Sequence, residues 1–338
     1  MSPKKLLTSL VVIAILVGAL TFGFAIINQK KRGEYFSTPE EQNQTTTQPA
    51  TAPILSAYLY EVSGYWMRDS GSDLPVYITN LGYSVRNYGD GEAYNVKVMV
   101  KVNGVTYSAQ TISLIRPYDA YSNSFSLTIA YDSSVAISLY ASCPESSDST
   151  ILTVNAILPR SPEPNPGLCK LFITPSEAYV SSIKNQILSS KFPLTPDWIA
   201  LKDWVANNIK YPSDDADGDG YPDYDYIKHG EWEYWQLPKE TLQLRTGDCE
   251  DYSTLLVSLL RAAGWSPNDV YVVLGKNSEG KGHAWVKIKI NLLLGSVWYN
   301  LEPQAGGWNI FDVAIDTWKC SGYQAECYFN DSQYHTVR

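Results

Sequence analysis

The segment Arg245–Trp265, RTGDCEDYSTLLVSLLRAAGW, decides how the C-terminal half of this 338-residue chain folds. Cys249 begins an amphipathic run in which leucines recur at helical spacing, and Gly264 supplies a C-terminal stop. The pattern predicts a helix from about Cys249 to Ala263. Because a helix N-terminus lowers the pKa of a thiol, Cys249 is a candidate nucleophile, although its acidic neighbours oppose that effect.

A thiol nucleophile needs a base, and histidine is the natural choice. His283 lies in GKGHAWVKI, at the start of a predicted strand, where a side chain can project into a cleft. The next predicted strand, in WYNLEP, ends at Glu302, which would lie beside His283 if the two strands form a hairpin. The alternative is an inert, buried Cys249. A zinc site is disfavoured because the chain has no C-x-x-C or H-x-x-x-H pair.

Three motifs in order, GDCED before a leucine-rich helix, then HAW, then WYNLEP, resemble the transglutaminase-like superfamily over about residues 195–305. The resemblance implies a papain-like thiol fold with Cys249 as nucleophile and His283 as base. It also implies an oxyanion hole built on the backbone N–H of Cys249, with Trp235 or Gln236 as candidates for the second donor.

Glu302 stands where the superfamily usually has aspartate, and its extra methylene requires a shifted backbone. The resemblance implies a surface thiol enzyme that transfers or hydrolyses acyl groups of peptide or amide bonds through a Cys-His-Glu triad. Protein or peptide substrates are expected, and no organic cofactor. The motifs are most similar to archaeal and bacterial secreted or membrane-anchored members. The alternative is a non-catalytic peptide-binding, adhesion or scaffold protein.

Residues 1–32 are predicted to form a membrane anchor with basic flanks. The segment Leu6–Ile27 has no charged residue and, as a helix, is long enough to cross a hydrocarbon core. A secretory signal cleaved near Gly23–Ala25 is the alternative. The sequence therefore predicts a single-pass protein of the cell membrane with its large C-terminal part extracellular, or a secreted protein if the segment is cleaved.

Composition and periodicity predict four further segments in the rest of the chain. Residues 33–53 are rich in Thr, Gln and Pro and predict a polar stalk. Residues 54–158 contain alternating runs such as Val96–Val102 and predict a β-sandwich surface module. A proline-rich linker is predicted at 159–167, followed by the transglutaminase-like domain at 168–338. The predicted fold class is therefore α+β, with a membrane helix, a β-sandwich and a papain-like domain.

Charge and cysteine content limit the partners and the compartment. The net charge is −9, and the first 32 residues carry five positive charges and no acid, so the remainder carries −14. Such an acidic chain repels phosphate backbones, which excludes a nucleic-acid partner. In an oxidising compartment Cys320 can pair with Cys327 and Cys143 with Cys169, which leaves Cys249 as the free thiol. The alternative is that all five cysteines stay reduced.

An acidic loop, DADGDGYPDYDY, begins at Asp215 and predicts a structural calcium site. Alternate residues of the loop match the ligand order of calcium-binding loops, with a glycine at the sharp turn. The candidate ligands are Asp215, Asp217, Asp219, the carbonyl of Tyr221, and Asp223. Tyr226 stands where a bidentate glutamate is expected, and a solvated acidic turn is the alternative.

Overall fold

Two main hydrophobic cores organise the chain. The computed structural model describes residues 51–162, 165–216, 218, 223–292, 295–306 and 320–337. The first core lies within a β-rich region that ends at Ala156, and the second extends from Leu158 to Phe329. The cleft described below lies in the second region, but part of its wall comes from the segment that joins the two.

The first region contains two antiparallel sheets, ordered β1-β2-β5 and β4-β3-β6-β7. The strands are β1 (Leu55–Arg68), β2 (Pro75–Asn87), β3 (Ala93–Val102), β4 (Val105–Ile115), β5 (Ala120–Ala130), β6 (Ser133–Ser142) and β7 (Ser147–Ala156). In β3, Val96, Val98 and Val100 are buried while Lys97 is exposed, which confirms the alternation read from the sequence. We call this pair of sheets the β-sandwich.

The second region places helices before antiparallel strands. The helices are α1 (Pro166–Cys169), α2 (Ala178–Ser190), α3 (Asp197–Asn208), α4 (Tyr224–His229), α5 (Pro238–Leu244) and α6 (Cys249–Ala262), with a 3-10 turn at Lys170–Phe172. The strands are β8 (Val270–Lys276), β9 (Gly282–Leu292), β10 (Gly295–Leu301), β11 (Gln324–Phe329) and β12 (Tyr334–Thr336). They form one sheet in the order β10-β9-β8-β11-β12.

Helix α6 lies at the centre of this region. Every residue from Glu250 to Leu260 is buried, and the helix packs against α2, α3, α5, β8 and β9. Its last turn ends before Gly264, whose φ of 95° is the left-handed conformation that favours glycine. The helix predicted from the leucine spacing is confirmed. Its central position fixes Cys249 at the junction of the helices and the sheet.

The predicted fold class requires a correction at its N-terminal end. Among the residues described, no helix is long and apolar enough to cross a membrane. The predicted membrane helix is therefore not supported, nor is the single-pass membrane localisation that depended on it. Residues 1–50, where the anchor and most of the stalk were predicted, lie outside the described residues. Hydropathy alone carried that prediction, and an uncharged run does not by itself specify a spanning helix. The observed fold is a β-rich region over 55–156 followed by a mixed α/β region.

The cysteines outside α6 lie in different clusters. Cys143 is a free thiol packed against the β-sandwich core, whereas Cys169 is buried in the second core. The structure places these two thiols in separate clusters, and the predicted Cys143–Cys169 disulfide stays a prediction. Cys320 belongs to a small third cluster and Cys327 to the second core, and their pairing stays a prediction.

We expect Leu259→Ala to lower the free energy of unfolding by about 2–5 kcal/mol, because it leaves a cavity where α6 is fully buried. Urea denaturation followed by tryptophan fluorescence measures the change. Leu244→Ala in neighbouring α5 is the matched control, since Leu244 is 39% exposed. Leu244→Ala should lower the free energy of unfolding by less than about 1 kcal/mol. Equal losses in the two variants would contradict the central position of α6.

Candidate active site

The structure brings the predicted nucleophile and base into one cleft. Cys249 is the first residue of α6, and His283 is the second residue of β9. Both line a cavity of about 560 Å³. Cys249 is half-buried, and its Sγ donates a hydrogen bond to Glu250 Oε2 over 3.3 Å.

His283 is oriented by the predicted third residue. Strands β9 and β10 form the antiparallel hairpin expected from the sequence, and Glu302 directly follows β10. The distance from His283 Nε2 to Glu302 Oε2 is 2.8 Å. Because a carboxylate only accepts, Nε2 carries the proton of the neutral ring, and Nδ1 is left as the basic nitrogen. The extra methylene of glutamate is therefore compatible with contact to the imidazole.

Tyr323 is a site residue that the sequence did not reveal. Its hydroxyl donates to Glu302 Oε2 over 3.2 Å, and its ring meets His283 edge-on with centroids 5.3 Å apart. Burial, and then the charge of Glu302, raise the pKa of Tyr323, so it remains a neutral donor. Tyr323 lies in CSGYQAEC, a segment interpreted from sequence only as a disulfide loop. No motif marks it, because the contact arises when β11 pairs with β8.

The environment of Cys249 opposes ionisation of the thiol. Burial raises its pKa strongly and the charge of Asp248 raises it further, while hydrogen bonds with the Ala284 backbone N–H and with the Glu250 carboxyl group lower it. The sequence favoured activation by the N-terminus of α6, whereas burial and the neighbouring carboxylate act against it. Attack by Cys249 therefore depends on a base to accept its proton.

The two oxyanion candidates occupy different positions. Trp235 lines the cleft, and its indole N–H donates to Glu233 Oε1 over 2.5 Å. Gln236 donates from its backbone nitrogen to Asp251 Oδ1 over 2.8 Å and from its side-chain nitrogen to Asp251 Oδ2. The structure thus argues against Gln236 as an oxyanion donor, because its donors are committed inside the fold. The role of Trp235 stays a prediction.

Four carboxylates, three of them buried and that of Asp248 half-buried, surround the start of α6. One oxygen from each lies within 4.8 Å of the others. The four residues are Asp225, Asp248, Glu250 and Asp251. Burial raises the pKa of every one of them, and the neighbouring Asp248 helps to raise that of Asp225 to about 8. Asp225 comes from α4 and is distant in sequence, so the cluster could not be recognised from the Cys249 motif alone.

Several oxygens of this carboxylate cluster have no hydrogen-bond partner. They are Asp225 Oδ1, Asp248 Oδ1 and Glu250 Oε1, all buried. The other oxygen of Asp225 accepts from the Tyr234 backbone over 2.5 Å, and Asp251 accepts from Gln236. Within the described residues, no lysine or arginine forms an ion pair with the four carboxylates. Oxygens arranged in this way suit a divalent cation.

The predicted calcium loop is described only at its two ends. Asp215 accepts a hydrogen bond from the Gly218 backbone over 2.6 Å, and Asp223 accepts one from the Ala216 backbone over 2.8 Å. Asp217, Asp219 and Tyr221 lie outside the described residues. Calcium binding by this loop therefore stays a prediction.

Comparison with known proteins identifies two segments. Residues 182–313 match the model of the transglutaminase-like superfamily, and residues 75–146 match the CARDB model. The UPF0252 protein MJ1282 of Methanocaldococcus jannaschii is 34% identical over 131 residues, which is 36% of this chain and 34% of that protein. The chain thus spans about a third of the length of this curated relative.

Solved structures that are similar to parts of the chain include the following two. One is the CARDB domain of PF1109 from Pyrococcus furiosus in complex with di-metal ions, 17% identical, covering 32% of this chain and 96% of that one, with a TM-score of 0.24. The other is calcium-bound LapG from Legionella pneumophila, 14% identical, covering 47% of this chain and 87% of that one, with a TM-score of 0.31.

We expect Glu302→Gln to slow alkylation of Cys249 by iodoacetamide at neutral pH by on the order of 10–10³-fold, because a neutral amide does not stabilise the imidazolium that forms on His283. Glu302→Asp should slow the alkylation of Cys249 less than Glu302→Gln does, if the backbone can move towards the imidazole of His283. Glu326→Gln is the matched control, since Glu326 lines the same cleft and is exposed. If Glu302→Gln and Glu326→Gln react at the parent rate, another group orients His283.

Proposed function

We propose that this chain, whose residues 182–313 match the model of the transglutaminase-like superfamily, is a thiol acyltransferase or hydrolase acting on peptide or amide bonds. The observation that carries the proposal is the 2.8 Å contact between His283 Nε2 and Glu302 Oε2 in the cleft that also contains Cys249. An oriented imidazole that lines the same cleft as a thiol is the arrangement on which nucleophilic catalysis can be built.

In the proposed reaction, Cys249 Sγ attacks the carbonyl carbon of the substrate while His283 Nδ1 accepts the thiol proton. In this proposal Glu302 stabilises the imidazolium, and the Cys249 backbone N–H donates to the oxyanion. The C–N bond then breaks, His283 returns the proton to the departing amine, and the acyl group remains on sulfur as a thioester. Water or a second amine attacks the thioester and transfers a proton through His283, and the free thiol is restored.

The charge of the cleft limits the substrate class. Carboxylates of Glu233, Asp248, Glu250 and Glu326 line it, and no lysine or arginine is among its described lining residues. Without a lysine or arginine in this lining, an anionic group of a substrate finds no side-chain counter-charge, so we infer a neutral amide or a cationic side chain beside the scissile bond. The aromatic walls formed by Tyr211 and Trp235 supply apolar contact to a peptide.

A second candidate function is peptide binding without turnover. It is favoured by the burial and carboxylates that raise the pKa of Cys249, because they oppose the thiolate. Such a protein would use the same acidic cleft for adhesion or as a scaffold. The two functions differ in whether a thioester forms at Cys249.

We expect the parent to convert a glutamine-containing peptide, mixed with a labelled primary amine, into an amine-linked or a hydrolysed product, measured by mass spectrometry. Cys249→Ala should remove both products, since no other described thiol lies in the cleft. Cys143→Ala, which changes a thiol in the β-sandwich core, should retain the parent rate. Product formation by Cys249→Ala would contradict the proposed nucleophile, and peptide binding without product would favour the second function.

For a cofactor, we propose that calcium binds the carboxylate cluster of Asp225, Asp248, Glu250 and Asp251. Calcium takes oxygen ligands at about 2.4 Å, so the ligands of one ion lie within about 4.8 Å of each other. The four carboxylate oxygens meet that limit. When bound, the ion supplies positive charge to a set of buried carboxylates that otherwise face one another. Its proposed role is structural, because it would link α4 to the N-terminus of α6.

We expect calcium to raise the melting temperature of the chain relative to EGTA, by mass action on the folded state. Asp225→Asn should abolish this calcium-dependent shift. In EGTA it should melt no lower than the parent, because it removes a buried carboxylate that lacks a cation. Asp215→Asn is the matched control in the predicted loop and should retain the shift. If Asp215→Asn alone abolishes it, calcium binds the loop instead of the cluster.

A further inference from the structure

We propose that Arg160 is a positioning residue through which the β-sandwich holds one wall of the Cys249 cleft in place. The residue lies in the segment that joins the β-sandwich to the helices. Its guanidinium is only 9% exposed and bonds to both regions. The proposal rests on the proposed function only in taking Cys249 as the reactive residue.

On the helical side, Arg160 binds the segment that contains Trp235. Its Nη1 donates to the Trp235 carbonyl over 3.2 Å, and its two terminal nitrogens make a bidentate pair with Glu240 at 2.7 and 3.0 Å. The Trp235 backbone N–H donates back to the Arg160 carbonyl over 2.8 Å. The guanidinium also lies over the Tyr234 ring, 4.9 Å from its centroid. Planar groups with several donors hold a segment in one orientation more strongly than a single contact does.

The segment held by Arg160 is part of the cleft. Trp235 lines it directly, as does Ser161, the next residue after Arg160. The contacts continue to the nucleophile's helix, because Gln236 donates twice to Asp251, two residues after Cys249. A displacement of this wall would therefore move the position of bound substrate relative to the thiol.

On the β-sandwich side, Arg160 pairs with Asp132 in the turn between β5 and β6. The other oxygen of Asp132 accepts from the Leu158 backbone over 3.0 Å, so its carboxylate is fixed in direction. Removing the charge of Asp132 leaves Arg160 with one anionic partner instead of two. Because the guanidinium is buried, it should then shift towards Glu240, and the wall that it holds should shift with it.

Another contact between the same two regions provides a control. Asp73, after β1, pairs with Arg68 at 3.5 Å and accepts from the Ser176 backbone over 2.6 Å. Like Asp132, it is an acid of the β-sandwich that contacts an arginine and a backbone N–H. Neither Asp73 nor its partners line the cleft. Loss of Asp73 therefore weakens the junction without acting on the wall.

The experiment compares Asp132→Asn, Arg160→Lys and Asp73→Asn in the full chain. Asparagine tolerates the left-handed φ of 51° at position 132 and keeps an acceptor for Leu158. The readouts are kcat and KM on a peptide amide, and the rates of Cys249 alkylation by small iodoacetamide and by a bulky maleimide. All are measured well below the melting temperature of each variant.

We expect Asp132→Asn to lower kcat by on the order of 10-fold with a smaller change in KM, because misplacement near the reacting atoms acts mainly on the transition state. The ratio of bulky to small alkylation rates should rise, since the wall is loosened. Arg160→Lys should shift both readouts in the same direction and further, because lysine cannot form the bidentate pair. Asp73→Asn should lower the melting temperature and leave both readouts at the parent values.

Equal alkylation ratios and equal kcat in the parent and Asp132→Asn would overturn the proposal and leave Arg160 a structural residue. Equal effects of Asp132→Asn and Asp73→Asn would also overturn it, since a general weakening of the junction would then explain both. If the parent shows no turnover, the proposed function fails, but the alkylation ratio still decides whether Arg160 positions the wall.

Discussion

The burial of α6 on all sides is the constraint on which the site depends. A helix that begins in the interior takes the carboxylates at its start out of water: Glu250 and Asp251 are buried, and Asp248 and Cys249 directly before them are half-buried. Their charges cannot be solvated, so the carboxylates must be protonated or neutralised by a cation. The same burial disfavours the thiolate of Cys249, and the reactivity of the thiol therefore depends on its neighbours in the sheet.

The sheet supplies those neighbours through the register of four strands. Pairing of β9 with β10 sets Glu302 beside His283, and pairing of β11 with β8 brings Tyr323 to the same carboxylate. Glu302 is thereby held from two sides, which compensates for the flexibility of a side chain longer than aspartate. His283 is thus oriented by residues that directly adjoin hydrogen-bonded strands, and its orientation does not depend on a long loop.

The β-sandwich is joined to the helical region by packing as well as by polar contacts. Trp66 packs against both main cores, and Leu74 and Tyr131 pack against the second. Arg160 adds charged contacts at the point where the joining segment passes the cleft. A β-sandwich attached in this way is more than a spacer, because a change in its position would move residues that line the cleft.

Periodicity and motif order in the sequence were enough to predict α6, the alternation of β3, the β9–β10 hairpin and the proximity of His283 to Glu302. These features follow from spacing along a helix or strand, which is a local property. Hydropathy, which is also local, led to a membrane helix that the described structure does not support. The acids of the predicted calcium loop likewise suggested a ligand set from their alternation alone.

Only the tertiary structure decided which distant residues complete the site. Asp225 joins the carboxylates of α6 from another helix, Tyr323 reaches Glu302 from another strand, and Gln236 is committed to Asp251 instead of the cleft. Each of these contacts depends on how separate elements pack around two cores. Packing is determined by the burial of apolar groups that are distant in sequence and by the need to satisfy buried polar groups. The spacing of residues along the chain does not predict either of these.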